Sequence, residues 1–438
     1  MRHLGLLPVI LLVASVASAQ WVEDSIDVGG RWVGSLAYNS REDVIYGLSN
    51  TGDFVFAIAC SSNAVIARID ANYPRSLSYD ATDSRLYCTF GNGDESLLVI
   101  SGVTHERLQA LPLASANTTL WDGVYNRLYV TCGYENQVAV IDCATDSVVA
   151  RIDVGRHPLR LHLNTRHDKL YVQNYDDGSV SIVDRASLRV IKTVDIETAP
   201  LAGYYSESVD KYYADDGPNQ VAVIDGDLDS VVTRALLPNL GAVSAITGTR
   251  RDRVVVVAQY GSGIGWVYAI DGDADTLLSS LDVGRYPRAL HWSSVTDLVY
   301  CVNGMSDDVT VIAGDGSAVL KTVRVGDAPQ ALLAVPTRGR IYVGHNNGRY
   351  VYVIKDRTGG IAEQDPVAVE RWAGSTVMRA SDLARVEGCI IDVQGRVLAS
   401  GQSEIANRIS EMPPGIYFVR EASGAGRQAT TTRKIVAK

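Results

Sequence analysis

Apolar residues along this chain come in short bursts set apart by turn-forming residues. From Asn126 to Pro158 the sequence reads NRLYVTCGYENQVAVIDCATDSVVARIDVGRHP, with alternating or β-branched stretches at 128–131, 138–141 and 148–154. Bursts of this length, bounded by Gly, Asn and Asp, predict strand, turn, strand, turn, strand. The phrase recurs down the chain. The apolar residue closing its middle burst falls at Ile58, Ile100, Ile141, Val183, Ile224, Ile270, Ile312 and Ile354, at intervals of 42, 41, 42, 41, 46, 42 and 42 residues. The second strand of each copy is marked by Ile45-Tyr46, Leu86-Tyr87, Leu128-Tyr129, Leu170-Tyr171, Tyr212-Tyr213, Val254-Val255, Val299-Tyr300 and Ile341-Tyr342. An innermost strand such as 159–163 or 288–292 precedes it, so each copy holds four strands.

Self-similarity at this period, with four strands per copy, is the signature of β-propeller blades. Eight blades are expected; seven stay open as an alternative because the sixth copy has the 46-residue interval and a divergent stretch at 247–253. The phrase ends in RIDVG at 151–155 and LDVG at 281–284, and the same ending, Ser25-Ile26-Asp27-Val28-Gly29, stands orphaned before the first copy. The last copy, closing at Ile354, lacks one. The orphan is therefore expected to supply the last blade's missing strand, removing two open sheet edges.

These phrases resemble the YVTN family of β-propeller repeats, through Tyr129-Val130-Thr131-Cys132, Tyr171-Val172-Gln173-Asn174 and the NQVAVID run at 136–142. The likeness covers about residues 25–355 and departs from the family in Cys132, where Asn is usual, and in a copy number of eight rather than seven. It implies a fold more than an activity. Propellers similar to this one include lactonases and quinoprotein dehydrogenases, but the six tryptophans do not keep one repeat position, as the quinoproteins' docking motifs would require.

Residues 1–19 read as a signal peptide, with Arg2 and His3, an apolar run, and Ala17-Ser18-Ala19 at the cleavage site. The expected domains are then a propeller at 20–355, a linker at 356–384 and a terminal domain at 385–438. That last segment resembles the C-terminal sorting domain of the type IX (Por) secretion system. Asp392, Gly395 and Arg396 match its hairpin motif, and Pro414, Gly415, Tyr417 and Arg420 match its strand motif. The resemblance implies a small β-sandwich, a partner in the type IX machinery, and a bacterial protein exported through periplasm and outer membrane to the surface or medium.

The chain carries 40 Lys plus Arg against 50 Asp plus Glu, a net charge of −10. Such a surface argues against a nucleic-acid partner, which needs basic patches. No later apolar stretch reaches the roughly 20 residues of a membrane span. The six cysteines, Cys60, Cys88, Cys132, Cys143, Cys301 and Cys389, lack CxxC spacing and sit in or beside strands, which suits small core residues.

Candidate chemistry is sparse. The link from each outermost strand into the next blade carries Arg31 and Trp32, Tyr73, Arg156 and His157, or Arg285 and Tyr286. Arginine and aromatic side chains around a funnel rim suit an anionic or carbohydrate partner. His162 and His291 fall at equivalent innermost positions and could face the channel. The Asp-rich turns at 225–229 and 271–275 have Ser230 and Thr276 where a calcium loop needs Gly, and the first has Leu236 in place of the distal acid, although the second has Asp282 there. No catalytic, phosphate-binding or dinucleotide motif appears, so neither cofactor nor metal is expected. The expected function is a monomeric, non-catalytic scaffold binding a protein or glycan. The alternative is a lactonase-type hydrolase using a divalent ion at the channel mouth.

Overall fold

The computed structural model describes residues 20–91, 97–249, 254–261 and 263–357, and the backbone of four later strands within 388–437. The third copy shows how the phrase folds. Its strands Ala116–Asp122, Arg127–Cys132, Gln137–Asp142 and Ser147–Asp153, here strands A to D, pair antiparallel in chain order. Asp122 ends strand A by accepting the N–H groups of Val124 and Tyr125, and Asn126 takes the left-handed conformation (φ 51°) that tightens the hairpin. Asn and Asp tolerate that conformation best among non-glycine residues.

Eight such sheets form, at residues 36–70, 74–111, 116–153, 158–195, 203–236, 242–283, 287–324, and 329–355 with 22–27. The protein is an eight-bladed β-propeller. The A strands of successive blades touch in an unbroken circle, blade 8 against blade 1 included, whereas the D strands touch sparsely, so strand A is innermost. The sixth copy is a regular blade; two of its four extra residues lengthen strands B and C to seven each, and the others fall in the connections before strand A and between A and B.

Closure follows the orphan-strand expectation. Val22–Asp27 pairs antiparallel with Tyr350–Lys355, with Ile26 opposite Val351 and Ser25 opposite Tyr352. Arg340 of blade 8 grips Glu23 through Nε (2.6 Å) and Nη2 (3.1 Å), and reaches the Cys60 carbonyl of blade 1 (2.7 Å).

Neighbouring blades are stapled by the tyrosine of strand B. Tyr46, Tyr87, Tyr129, Tyr171, Tyr300 and Tyr342 are fully buried. Several reach across to the following blade: Tyr87 donates to Asp146 (2.6 Å) and Tyr342 to Asn63 (3.2 Å), both in C–D turns, and Tyr300 to Asp356 (2.6 Å), just past strand C of blade 8. A ring buried on both faces and hydrogen-bonded at its tip fixes spacing as well as adhesion.

The outer edges are disarmed by a β-bulge between strands C and D of every blade. In seven blades the extra residue is an exposed aliphatic, as at Ile66, Val149 and Leu278; in the blade closed by the N-terminal strand it is Glu23. A bulge breaks the ladder that a second sheet would need.

The later strands form one antiparallel sheet in the order 397–400, 388–391, 415–421, 431–437, in a unit separate from 20–358. Among the described residues this segment gives a single sheet, and the expected second layer of a sandwich lies outside them. Asp392, Gly395, Arg396 and Pro414 lie outside the described residues, as does the signal segment 1–19, while Gly415, Tyr417 and Arg420 fall on the strand 415–421, described as backbone only. Among the described residues no helix is long and apolar enough to cross a membrane.

Candidate recognition face and channel mouth

Because strands alternate in direction, the D-to-A links and the B–C turns emerge on one face. Backbone bonds join them: Tyr175 N–H donates to the His157 carbonyl (3.0 Å), Gly304 to Tyr286 (2.9 Å) and Gly91 to Tyr73 (3.1 Å). Six of the eight links hold a left-handed residue, Trp32 (φ 59°) within its link and Tyr73 (52°), Ser115 (47°), His157 (53°), Tyr286 (59°) and Ala328 (51°) at the end of theirs; the links at 196–202 and 237–241 hold none. The A–B turns give that conformation to Asp43, Ser84, Asn126, Asp168, Asp210 and Asp297. Only the links place Trp and Tyr there, at a cost of the order of 1 kcal/mol each. The strain is held by the preceding blade. Asp53, Asn136 and Asp307 accept the N–H groups of Tyr73 (2.9 Å), His157 (3.0 Å) and Ala328 (2.9 Å).

The rim candidates divide by side-chain type. Arg156 is locked to Asp177, with its N–H on Oδ2 at 2.6 Å and its Nε on Oδ1, and Arg285 donates from Nη2 to the Met305 carbonyl (2.9 Å). Both arginines staple the link to the B–C turn of their own blade. Arg31 is exposed. The aromatics are displayed instead: Trp32 is 46% and Tyr73 47% exposed. His157 stacks with Tyr134, which is 86% exposed, and meets Tyr175 edge-on at 5.7 Å. Tyr286 packs 4.2 Å from Tyr260. Tyr134, Tyr175 and Tyr260 belong to the same surface and escaped the sequence reading. Each sits at or just past the end of a strand B, a signal the 42-residue register could have exposed.

His162 and His291 hold equivalent positions on Pro158–Asn164 and Pro287–Ser293, three blades apart, and are not brought together. His162 shares a hydrogen bond with Tyr212 of the next blade (3.0 Å), and burial pulls its pKa down to about 4. Burial likewise lowers His291. The Asp-rich turns enclose lysines of the preceding blade. Lys169 donates to the Gly226 carbonyl and Asp229 (both 2.8 Å), and Lys211 to the Gly272 carbonyl (2.8 Å) and Asp275 (2.7 Å). A lactonase-type site would need converging ligands for its ion, and among the described residues no three of His, Cys, Asp and Glu come together. The five described cysteines are buried and unpaired, and burial pushes the Cys88 thiol up to about 12.

One acid stands out. Asp215, at the end of strand B in blade 5, is buried, and burial pushes its pKa up to about 7 despite the N–H groups of Leu201 and Gly217. Its folded value lies above the ordinary aspartate value of 3.8, so the unfolded chain loses this proton first as pH rises. Stability should therefore fall between about pH 4 and 7 and level off above. Asp215→Asn is expected to remove that slope and to gain about 2 kcal/mol or more at pH 8, with no gain below pH 4. Urea midpoints of both proteins at the two pH values check this.

Compared with protein-family models and with curated proteins, the chain finds no match.

Proposed function

We propose that this is an exported, non-catalytic recognition module of the YVTN propeller type, whose blade-linking face binds a protein or glycan at a bacterial surface. The signal peptide and the likeness of residues 385–438 to a type IX sorting domain support export, with that machinery as a partner. The observation that carries the binding reading is the set of left-handed aromatics Trp32, Tyr73, His157 and Tyr286 on one face. A strained backbone that exposes large rings costs stability, and strain of this kind clusters at functional sites. Rigid, exposed Tyr and Trp supply contact area at low entropic cost, as in paratopes.

The test separates fold from binding. Trp32→Asn, Tyr73→Asn and Tyr286→Asn place a residue that tolerates the conformation, so the triple variant should match or exceed the parent in thermal midpoint. On a glycan array and in cross-linking capture from an outer-membrane fraction, the mature full chain should show a saturable partner. The variant should bind it at least about tenfold more weakly, as loss of interface aromatics implies. Undiminished binding by the variant would remove the face from consideration. Mass spectrometry of exported protein should find Gln20 at its start; retention of residues 1–19 would contradict export.

A further inference from the structure

We propose that the channel mouth on this face is an oxyanion-binding site, built by Arg75, Arg160 and Arg288 on the innermost strands of blades 2, 4 and 7, for a ligand bearing phosphate, sulfate or carboxylate groups. The proposal rests on the reading of this face as a recognition surface and adds the charge of what is recognised.

The first ground is a reversal of charge. The chain carries −10 overall. Yet two adjacent positions at the mouth end of strand A, or just before it in blades 1 and 5, followed in register around all eight blades from 34–35 to 330–331, hold three arginines and no Asp or Glu. Strand A is flanked by strand B and by the neighbouring blades, so its exposed side chains open onto the channel or its mouth. All three arginines are exposed. Around Arg160 the protein crowds closely enough for burial to lower its pKa, although its surface still meets channel water.

The second ground is that these guanidinium groups are positioned but unpaired. Nearby, Arg156, Arg234 and Arg349 are each committed to a carboxylate, Asp177, Asp216 and Asp27. Among the described residues Arg75, Arg160 and Arg288 have no such partner. Arg288 lies over the Tyr286 ring at 4.3 Å, so its flat face is covered while its in-plane N–H donors stay free. Arg75 lies across Gly91, its Nη2 2.8 Å from where a Cβ would stand. Arg160 spends only Nε, on the Leu201 carbonyl at 3.3 Å. Guanidinium donors held this way match an oxyanion's paired oxygens. Low-dielectric walls focus their field along the channel.

The full chain is unfolded thermally at constant ionic strength, with chloride exchanged for about 10 mM pyrophosphate as the probe. The midpoint should rise by about 2–4 °C, as binding to the folded state requires. The rise should vanish in the Arg75→Gln/Arg160→Gln/Arg288→Gln variant and largely vanish in Arg75→Lys/Arg288→Lys, which keeps the charge but loses the fork. It should persist in Arg156→Gln and in Trp32→Asn/Tyr73→Asn, whose loss of a macromolecular partner is a separate matter. No rise in the parent, or an equal rise in the triple variant, overturns the proposal. A second arm compares oligogalacturonate with its methyl ester. Tighter binding of the acid than of pyrophosphate places the anion on a saccharide, and binding equal to pyrophosphate's points to a free oxyanion. Acid and ester binding alike would overturn the site.

Discussion

Removing residues 20–28 is expected to cost the propeller most of its stability. The truncated chain should unfold at least 10 °C lower, or aggregate. The strand Val22–Asp27 brings Ile26 into the core at 5% exposure, and Val28 follows it fully buried. Burial of two aliphatic side chains contributes about 3–6 kcal/mol, against a total of about 5–15 kcal/mol for a typical domain. Its loss also strips the ladder from Tyr350–Lys355, uncovers Val351 and Val353, and leaves Arg340 without Glu23. The new edge would lack the bulge that every intact outer strand carries, so association through it is the expected second effect. Circular dichroism melting and gel filtration of the truncated chain check both. A synthetic peptide of residues 20–29 added in trans should restore the midpoint by strand addition. A truncated monomer melting like the parent would show that closure lies elsewhere.

The propeller was legible because its information is periodic. Many hairpin turns are closed by a local Asp or Asn, as at Asp122, Asp142 and Asn164, and the closing strand betrays itself by carrying a phrase ending that stands before the first copy. What stayed hidden depends on contacts between copies. Arg156 and Arg285 looked like ligand groups in sequence, yet each folds onto a turn 20 or 21 residues later in its own blade. The turns at 225–229 and 271–275 depart from the calcium-loop pattern, yet each does hold a cation, the ammonium of Lys169 or Lys211 from the blade before. Arg75, Arg160 and Arg288 share no local motif. They become neighbours of one mouth only when the strand A bulges after Pro74, Pro158 and Pro287 are placed in register.

The joint between blades 3 and 4 should be the most sensitive single contact in the ring. Arg185 and Asp122 are each about 1% exposed and paired bidentately, Nε to Oδ2 at 2.8 Å and Nη2 to Oδ1 at 2.6 Å. Arg185 also contacts Asp168 through Nη1 (3.2 Å) and stacks 5.1 Å over Tyr125. Cutting one member of a buried pair leaves the other charge without compensation, so Asp122→Ala and Arg185→Ala should each lose about 3–5 kcal/mol. The pair is nevertheless not what the fold requires at this place. Between blades 1 and 2 the equivalent positions are Asn39 and Gly102, joined by Asn39 Nδ2 donating to the Gly102 carbonyl at 2.9 Å. Asp122→Asn/Arg185→Gly rebuilds that neutral joint, and it should be less destabilised than the sum of its single changes. The excess is a coupling energy of about 1–3 kcal/mol, read from urea unfolding of the four proteins in a double-mutant cycle. Additive losses would mean that Arg185 acts by filling space alone, since a volume effect at one position does not depend on the charge at the other.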